Sequence, residues 1–227
     1  ADVEITGSFV AKGDTPYKTE HYLEKLDGTG YELEETVPGT GKTDTVVTAA
    51  SKNYTGFDLD TSVEGTVESG TITGDGNLVL KLYYTRKSYK VTYKYEGTVP
   101  TGASGLPAEA SYKYGAAVSI AAAATAPGYT FSGWSITEGF EMPAADVEIT
   151  GSFTANTNTG YKVEHYLENL AGDGYELEDT ENLTGTTDTT VTAQGRSYPG
   201  FELNKNVEGT VESGTITGDG NLVLKLY

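Results

Sequence analysis

The sequence contains no cysteine, one methionine, one tryptophan and two histidines among 227 residues. The missing thiols exclude disulfide staples and thiolate metal sites. Basic residues are scarce: 15 Lys and Arg stand against 33 Asp and Glu, a net charge of −18. That balance excludes a phosphate-reading surface, which needs clustered Lys and Arg, and it disfavours an anionic bilayer. No apolar run is long enough to span a membrane, and no export signal is visible. Nucleic acid and membrane insertion are therefore not expected of this segment.

Glycine (29) and tyrosine (17) are abundant instead. Tyr and Thr suit pleated surfaces with one packed and one wet face. The governing feature is an internal repeat. ADVEITGSF at Ala1–Phe9 returns unchanged at Ala145–Phe153. Tyr17–Thr36 returns as Tyr161–Thr180, and Val63–Tyr83 returns letter for letter as Val207–Tyr227. The offset is 144 residues throughout. The unit holds two different modules of small-domain size. The expected organisation is the C-terminal strand of a truncated module B plus linker at 1–16, module A at 17–84, module B at 85–155, a linker at 156–160, and a second A at 161–227. The chain thus reads as a segment of a longer array. Charge separates the modules: residues 17–84 carry −7, 161–227 carry −8, and 85–155 only −1.

Alternation marks strands. Tyr89, Val91, Tyr93 and Tyr95 share one face against Lys90, Thr92 and Lys94. Tyr161, Val163, His165 and Leu167 do the same at the start of A, and Leu222, Leu224 and Leu226 at its end. Gly218-Asp219-Gly220-Asn221 is an Asp-Gly turn, predicting a hairpin with arms Thr215–Thr217 and Leu222–Tyr227, and likewise at Thr71–Tyr83. Residues 144–153 predict the last strand of B, with Val147, Ile149 and Phe153 in its core. The run 116–126 has alanines that favour a helix and a Val118/Ile120 alternation that favours a strand; we read it as a strand. The expected fold is mainly β with minor α: small β-grasp-like modules in an elongated tandem array. The A-to-B junction, 83–89, lacks Gly and Pro and predicts a stiff joint. The B-to-A junction, 154–160, is polar and predicts a looser one.

Three ordered blocks of module B carry a resemblance: Tyr89–Tyr112, Ala126–Trp134 and Met142–Ala155. They resemble the SHIRT domain of streptococcal surface proteins and, more distantly, the Listeria–Bacteroides repeat. Module A, through Tyr-Lys-Val-x-His-Tyr, Tyr198–Phe201 and the closing GTITGDGNLVLKLY, is similar to MucBP-type (mucin-binding protein) surface repeats. These resemblances imply an extracellular, wall-anchored or secreted protein of a Gram-positive bacterium, with modules strung as a stalk behind an adhesive tip. Neighbouring repeats are then the partners, with host glycan or mucin, or a second chain in a filament, as alternatives.

Catalytic chemistry finds little footing. His21 and His165 are equivalent positions on the inward register of the first strand of A, which predicts satisfied, buried rings. No nucleophile elbow exists. Glu34-Glu35 and Glu178-Asp179 read as solvated faces. Gly74–Asn77 and 218–221 offer one carboxylate each, too few for a calcium loop. An internal isopeptide bond would need a buried Lys, but Lys18, Lys90 and Lys162 fall on outward positions, while Asn77 and Asn221 lie in turns. Tyr129, Phe131 and Trp134 read as the core of B, with sugar binding as the alternative, and Tyr84 and Tyr89 as packing between modules. The Asn53 and Asn182 sequons carry no weight in a bacterial chain. No catalytic, cofactor or metal residue is assigned, and no enzyme activity is expected.

Overall fold

A computed structural model describes residues 2–227. The stretch expected to form the first module A holds β1 (Thr15–Glu24), β2 (Tyr31–Gly41), β3 (Val46–Thr48), β4 (Phe57–Leu59), β5 (Ser69–Thr71) and β6 (Val79–Arg86), the outer two running past the expected bounds of 17 and 84. Four of them form a sheet in the order β2-β1-β6-β4, and β3 pairs with β5. The hairpin β1–β2 is antiparallel, whereas β6 returns parallel to β1, with Thr19 opposite Leu80 and His21 opposite Leu82. The two-residue period sends Leu80, Leu82 and Tyr84 to one face, and all three are buried.

Residues 85–155, the expected module B, hold β7 (Ser88–Glu96), β8 (Ala110–Lys113), β9 (Ala117–Val118), β10 (Tyr129–Phe131), β11 (Phe140–Glu141) and β12 (Val147–Ala155). β7 pairs with β8, β9 with β11, and β10 with β12. The second A repeats the first with β13 (Thr159–Glu168), β14 (Tyr175–Gly185), β15 (Thr190–Thr192), β16 (Ser213–Thr215) and β17 (Val223–Leu226), in the order β14-β13-β17 with β15 on β16.

The chain divides into two compact units. One comprises Ala1–Val91, Glu109–Ser119 and Gly139–Val147; the other comprises Thr92–Ala108, Ile120–Glu138 and Glu148–Tyr227. In the first, Phe57, Leu82 and Tyr84 form a cluster packed by Leu23, Ala49, Tyr54 and Tyr114. In the second, Trp134 is buried and its indole N–H donates to Ala122 O (3.0 Å), while Tyr93, Tyr95 and Phe131 ring it. Val163, Leu224 and Leu226 form the core of the second A.

The β-rich reading holds, with corrections. Among the described residues there is no helix, so the minor α content is absent. The alanine run supplies only the two-residue β9, where Val118 pairs with Phe140 and is buried. The Asp-Gly turns form, but their arms do not pair with each other. β5 pairs with β3 and β6 with β1, and the same holds for β16 and β17. The turn is held instead by its aspartate: Asp219 accepts from the Thr217 hydroxyl (2.5 Å) and from Asn221 N–H (3.2 Å).

The expected strand at the start of the chain is also absent. Residues 2–9 form no strand, and Val3, Ile5 and Phe9 are fully solvent-exposed; Ala1 lies outside the described residues. Identical residues 146–153 run into β12, where Ile149 is fully buried and Phe153 packs on Tyr95 and Phe131. Local sequence is the same, so partner strands make the difference.

Candidate functional site: two module joints

Each compact unit contains one expected junction between an A and a B module. The first lies in the first unit. A single residue, Lys87, separates β6 from β7. Its N–H donates to Gly56 O (2.9 Å) and its carbonyl accepts from Tyr114 N–H (2.8 Å), which ties both modules to the linker backbone. Its ammonium meets Asp58 at 2.7 Å.

Glu24, at the end of β1, stands at the centre of this joint. One carboxylate oxygen accepts from Arg86 N–H (2.8 Å) and the other from the Lys113 ammonium of module B (2.5 Å). Burial pushes the Glu24 carboxyl upward, but these two donors outweigh burial and hold it below the usual carboxylate value. The Arg86 guanidinium donates to Glu24 O (2.8 Å) and to Tyr114 O of module B (3.0 Å), and it lies 4.8 Å over the Phe57 ring. Phe57 meets Tyr114 edge-on at 5.9 Å. Gly56, at φ +80°, allows that approach: a Cβ there would sit 2.2 Å from the Tyr114 ring. Arg86 thus bonds on both sides of the junction.

The second joint lies in the second unit and corrects the expectation of a loose linker. The Pro127-Gly128 turn of B presses its backbone on Gly218 of the second A. A Cβ on Gly218 would meet Pro127 O at 2.0 Å, and one on Gly128 would meet Gly218 Cα at 2.4 Å. Gly128 O accepts from the Thr187 hydroxyl (2.8 Å) and from Asn156 N–H (2.9 Å). Asn156 O in turn accepts from Thr187 N–H (2.9 Å), and its side chain accepts from the Thr130 hydroxyl (2.7 Å). Thr187 is buried and also meets the Thr159 hydroxyl at 2.6 Å. Tyr129 donates to Asp188, a non-glycine residue held at φ 62°. The polar linker is tied down by the Asn156 backbone, which bonds Gly128 and Thr187, and by the Asn156 and Thr159 side chains, which bond the Thr130 and Thr187 hydroxyls.

The first A presents the same receiving surface. Thr43 N–H donates to Lys12 O (2.8 Å), the Thr15 and Thr43 hydroxyls meet at 2.6 Å, and Asp44 stands at φ 63°. Nothing but the Thr43 methyl comes near a Cβ built on Gly74 (3.8 Å), so this counterpart of Gly218 is open.

The residues singled out from sequence fall outside the joints, apart from Tyr84, Tyr129 and the turn residue Gly218. His21 is 1% exposed and its Nδ1 meets Tyr84 OH at 3.1 Å. Burial lowers its pKa, against the opposing charge of Glu35. His165 is as deeply buried, but its Nε2 meets Glu181 (2.8 Å), which stands where the first copy has Val37. Glu35 is held by the Lys52 ammonium (2.5 Å) and by Tyr54, and Asp179 by Arg196; Glu34 and Glu178 are exposed. Lys18 pairs with Glu20 and Lys90 with Glu109, both at the surface, and Lys162 is exposed. Asp75 and Asp219 are each spent on their own turns. Phe131 and Trp134 form the B core, whereas Tyr129 belongs to the second joint. Tyr84 is part of the A core that reaches the first joint, while Tyr89 sits opposite Tyr112 in the sheet. Asn53 is exposed, and Asn182 sits opposite Lys162 on β14. Among the described residues no cluster of three His, Asp or Glu could hold a metal ion. Sequence reading missed Glu24, Lys113, Gly128 and Thr187, whose roles appear only when segments distant along the chain meet. The one available signal was the Pro127-Gly128 pair.

Comparison with known proteins agrees with the reading of module B. The family described as Divergent InlB B-repeat domain matches residues 89–157, less than a third of the chain. No curated protein matches the chain. Among solved structures, the Streptococcal High Identity Repeats in Tandem (SHIRT) domains 3-4 from a cell surface protein align at 16% identity. The alignment covers 60% of this chain and 96% of that one, at a TM-score of 0.24. A superposition that loose carries no argument; the all-β fold rests on the strand pairing itself. Module B is thus similar to a recurring repeat domain, and the match does not extend over the A modules.

Proposed function

We propose that the chain is a spacer segment of an extracellular bacterial surface protein, in which A and B modules alternate and their joints fix the distance between whatever lies at either end. The observation that carries this reading is the interlocking of Pro127-Gly128 with Gly218 and Thr187, matched by the Glu24–Arg86–Lys113 joint. A string of freely jointed beads needs neither. Short bonded junctions convert repeat number into reach, and the module boundaries near residues 16, 85 and 156 would mark successive beads. The strong negative charge opposes lateral collapse of neighbouring chains within a Debye length of about 8–10 Å. A wall-anchored, Gram-positive setting and the absence of enzyme activity belong to this reading, supported by the repeat-domain match over residues 89–157.

The test is backbone ¹⁵N relaxation across residues 84–89 and 154–160. Order parameters as high as in the flanking strands are expected. Values below about 0.6 in either stretch would make the junctions flexible and defeat the proposal.

A second reading, glycan or mucin binding by module A, is favoured by one repeated feature. Tyr22 stacks on Tyr83 at 4.9 Å with Tyr31 edge-on at 5.1 Å, and Tyr166, Tyr227 and Tyr175 repeat this at 4.9 and 5.1 Å. These half-open rings would offer a twice-presented platform for sugar faces. Binding on a glycan array that is lost on Tyr83→Ala together with Tyr227→Ala would promote this reading over the spacer.

A further inference from the structure

The two A copies differ along one free sheet edge. β14 stands at the end of the order β14-β13-β17 and β2 at the end of β2-β1-β6-β4, so among the described residues each long strand is paired on one side only. Which groups that edge presents follows from the strand beside it. Lys162 N–H donates to Leu222 O at 2.9 Å, so Lys162 turns its backbone groups toward β17. Its partner across the ladder is Asn182, and the two are therefore opposed without hydrogen bonds to each other. Asn182 then turns its N–H and C=O away from β13, and Thr180 and Thr184, two residues to either side, do the same. Asn182 and Thr184 are exposed, and among the described residues no backbone carbonyl meets their N–H groups.

The first copy closes the same edge. Lys18 N–H donates to Leu78 O at 3.1 Å, and its ladder partner is Pro38. Proline has no N–H, so the outward row of β2 is broken at its middle. Asn182 occupies that place in the second copy and restores the donor. The earlier part of β14 is guarded. Its register shifts between His165 and Tyr166, leaving Glu178 without a partner, and Asp179 Oδ1 takes the Thr180 N–H at 2.8 Å. The open stretch thus runs from Thr180 C=O to Thr184, and its side chains Thr180, Asn182 and Thr184 are uncharged. Glu176 and Glu178, just before it, are exposed and form no ion pair among the described residues. Residues 161–227 carry −8 in all. A second module of the same charge is repelled from this edge, and a cationic strand is drawn to it.

We infer that the Thr180–Thr184 edge of β14 is a strand-addition site whose partner is an extended basic segment of another protein. The partner's backbone pairs with the N–H and C=O of Asn182 and Thr184 and with the C=O of Thr180. Its Lys or Arg side chains lie toward Glu176 and Glu178, because Lys162 stands opposite Asn182. Pro38 denies the first copy this partner, so near-identical modules differ in what they bind along their sides. The site uses neither module joint and stands or falls apart from the spacer reading.

The experiment follows amide exchange in the full chain with the synthetic peptide Lys-Lys-Thr-Val-Thr-Val and with a control in which both lysines are glutamate. With the basic peptide at about ten times its dissociation constant, exchange at Asn182 and Thr184 should slow about tenfold, while Thr36 and Thr40 of the first copy stay unchanged. Asn182→Pro, which places there the residue the first copy already carries, should abolish the effect at Thr184. Pro38→Asn should create it at Thr40. Absence of protection, equal protection by the glutamate peptide, or protection that survives Asn182→Pro overturns the inference. So does protection of Asn182 and Thr184 that grows with protein concentration without any peptide, which would assign the edge to a second copy of this chain.

Discussion

Adding one methyl group at Gly218 should open the second joint, while the same change at Gly74 should do nothing. The two glycines are repeat copies in identical local sequence, and neither has a left-handed φ, so alanine fits both backbones. At Gly74 a Cβ meets only the Thr43 methyl, at 3.8 Å, an ordinary contact. At Gly218 it would lie 2.0 Å from Pro127 O and 2.7 Å from Pro127 C, atoms of a backbone that cannot rotate aside. Forced displacement of this kind costs roughly 1–3 kcal/mol. If the turn lifts away instead, the Thr187 hydrogen bond to Gly128 O is lost, at about 1 kcal/mol, along with the Tyr129–Asp188 contact. Either route weakens the joint by about 2 kcal/mol. Amide exchange at Asn156 and Thr187, whose N–H groups bond across the joint, reads this directly. Gly218→Ala should speed it about 30-fold, since each 1.4 kcal/mol is a factor of ten. Exchange that is unchanged in Gly218→Ala, or accelerated as much in Gly74→Ala, would refute the steric argument.

Other perturbations test the remaining links. Gly56→Ala combines a strained φ of +80° with a Cβ 2.2 Å from Tyr114, and should cost more than Gly218→Ala, about 2–4 kcal/mol by denaturant titration. Tyr84→Phe keeps the ring but leaves Lys52 N–H and His21 without their partner, and should lower the stability of the first A by about 1–2 kcal/mol with an unchanged m-value. Burial depresses His21, so the unfolded chain takes up that proton more readily. The first A should be at full stability above about pH 6.5 and lose part of it as pH falls below that. Glu24 is held below its ordinary value, so its contribution is present above about pH 4.5 and fades as pH falls through its folded pKa. Thermal midpoints between pH 7.5 and 3 should show both limbs, and Glu24→Gln should flatten the lower one.

Much of the fold was legible because period-two patterns and an unbroken 144-residue offset survive in the sequence. Tyr89–Tyr95, Tyr161–Leu167 and residues 223–226 lie in strands, and of the expected faces Val91, Val163, His165, Leu224 and Leu226 are buried. What failed was pairing. The Asp-Gly turn is a local signal and formed, but whether its arms pair depends on β1 and β3, tens of residues away. The octapeptide at 146–153 enters a buried strand while its twin at 2–9 stays exposed, so its local preference did not settle its state. The linker at 154–160 was read from composition as loose. Its Asn156 and Thr159 are polar for another reason: they supply the hydrogen bonds that lock it. Gly218 was legible as a turn glycine, yet its smallness also serves a backbone-to-backbone approach that no local pattern records.

Small-angle scattering of the full chain tests the central claim most directly. A compact globule of 227 residues has a radius of gyration of about 17 Å, whereas modules of about 30 Å held in line by closed joints give about 27 Å. The account predicts the larger value, unchanged between low and moderate salt. A value near 17 Å, or one that contracts as salt screens the acidic modules, would contradict it.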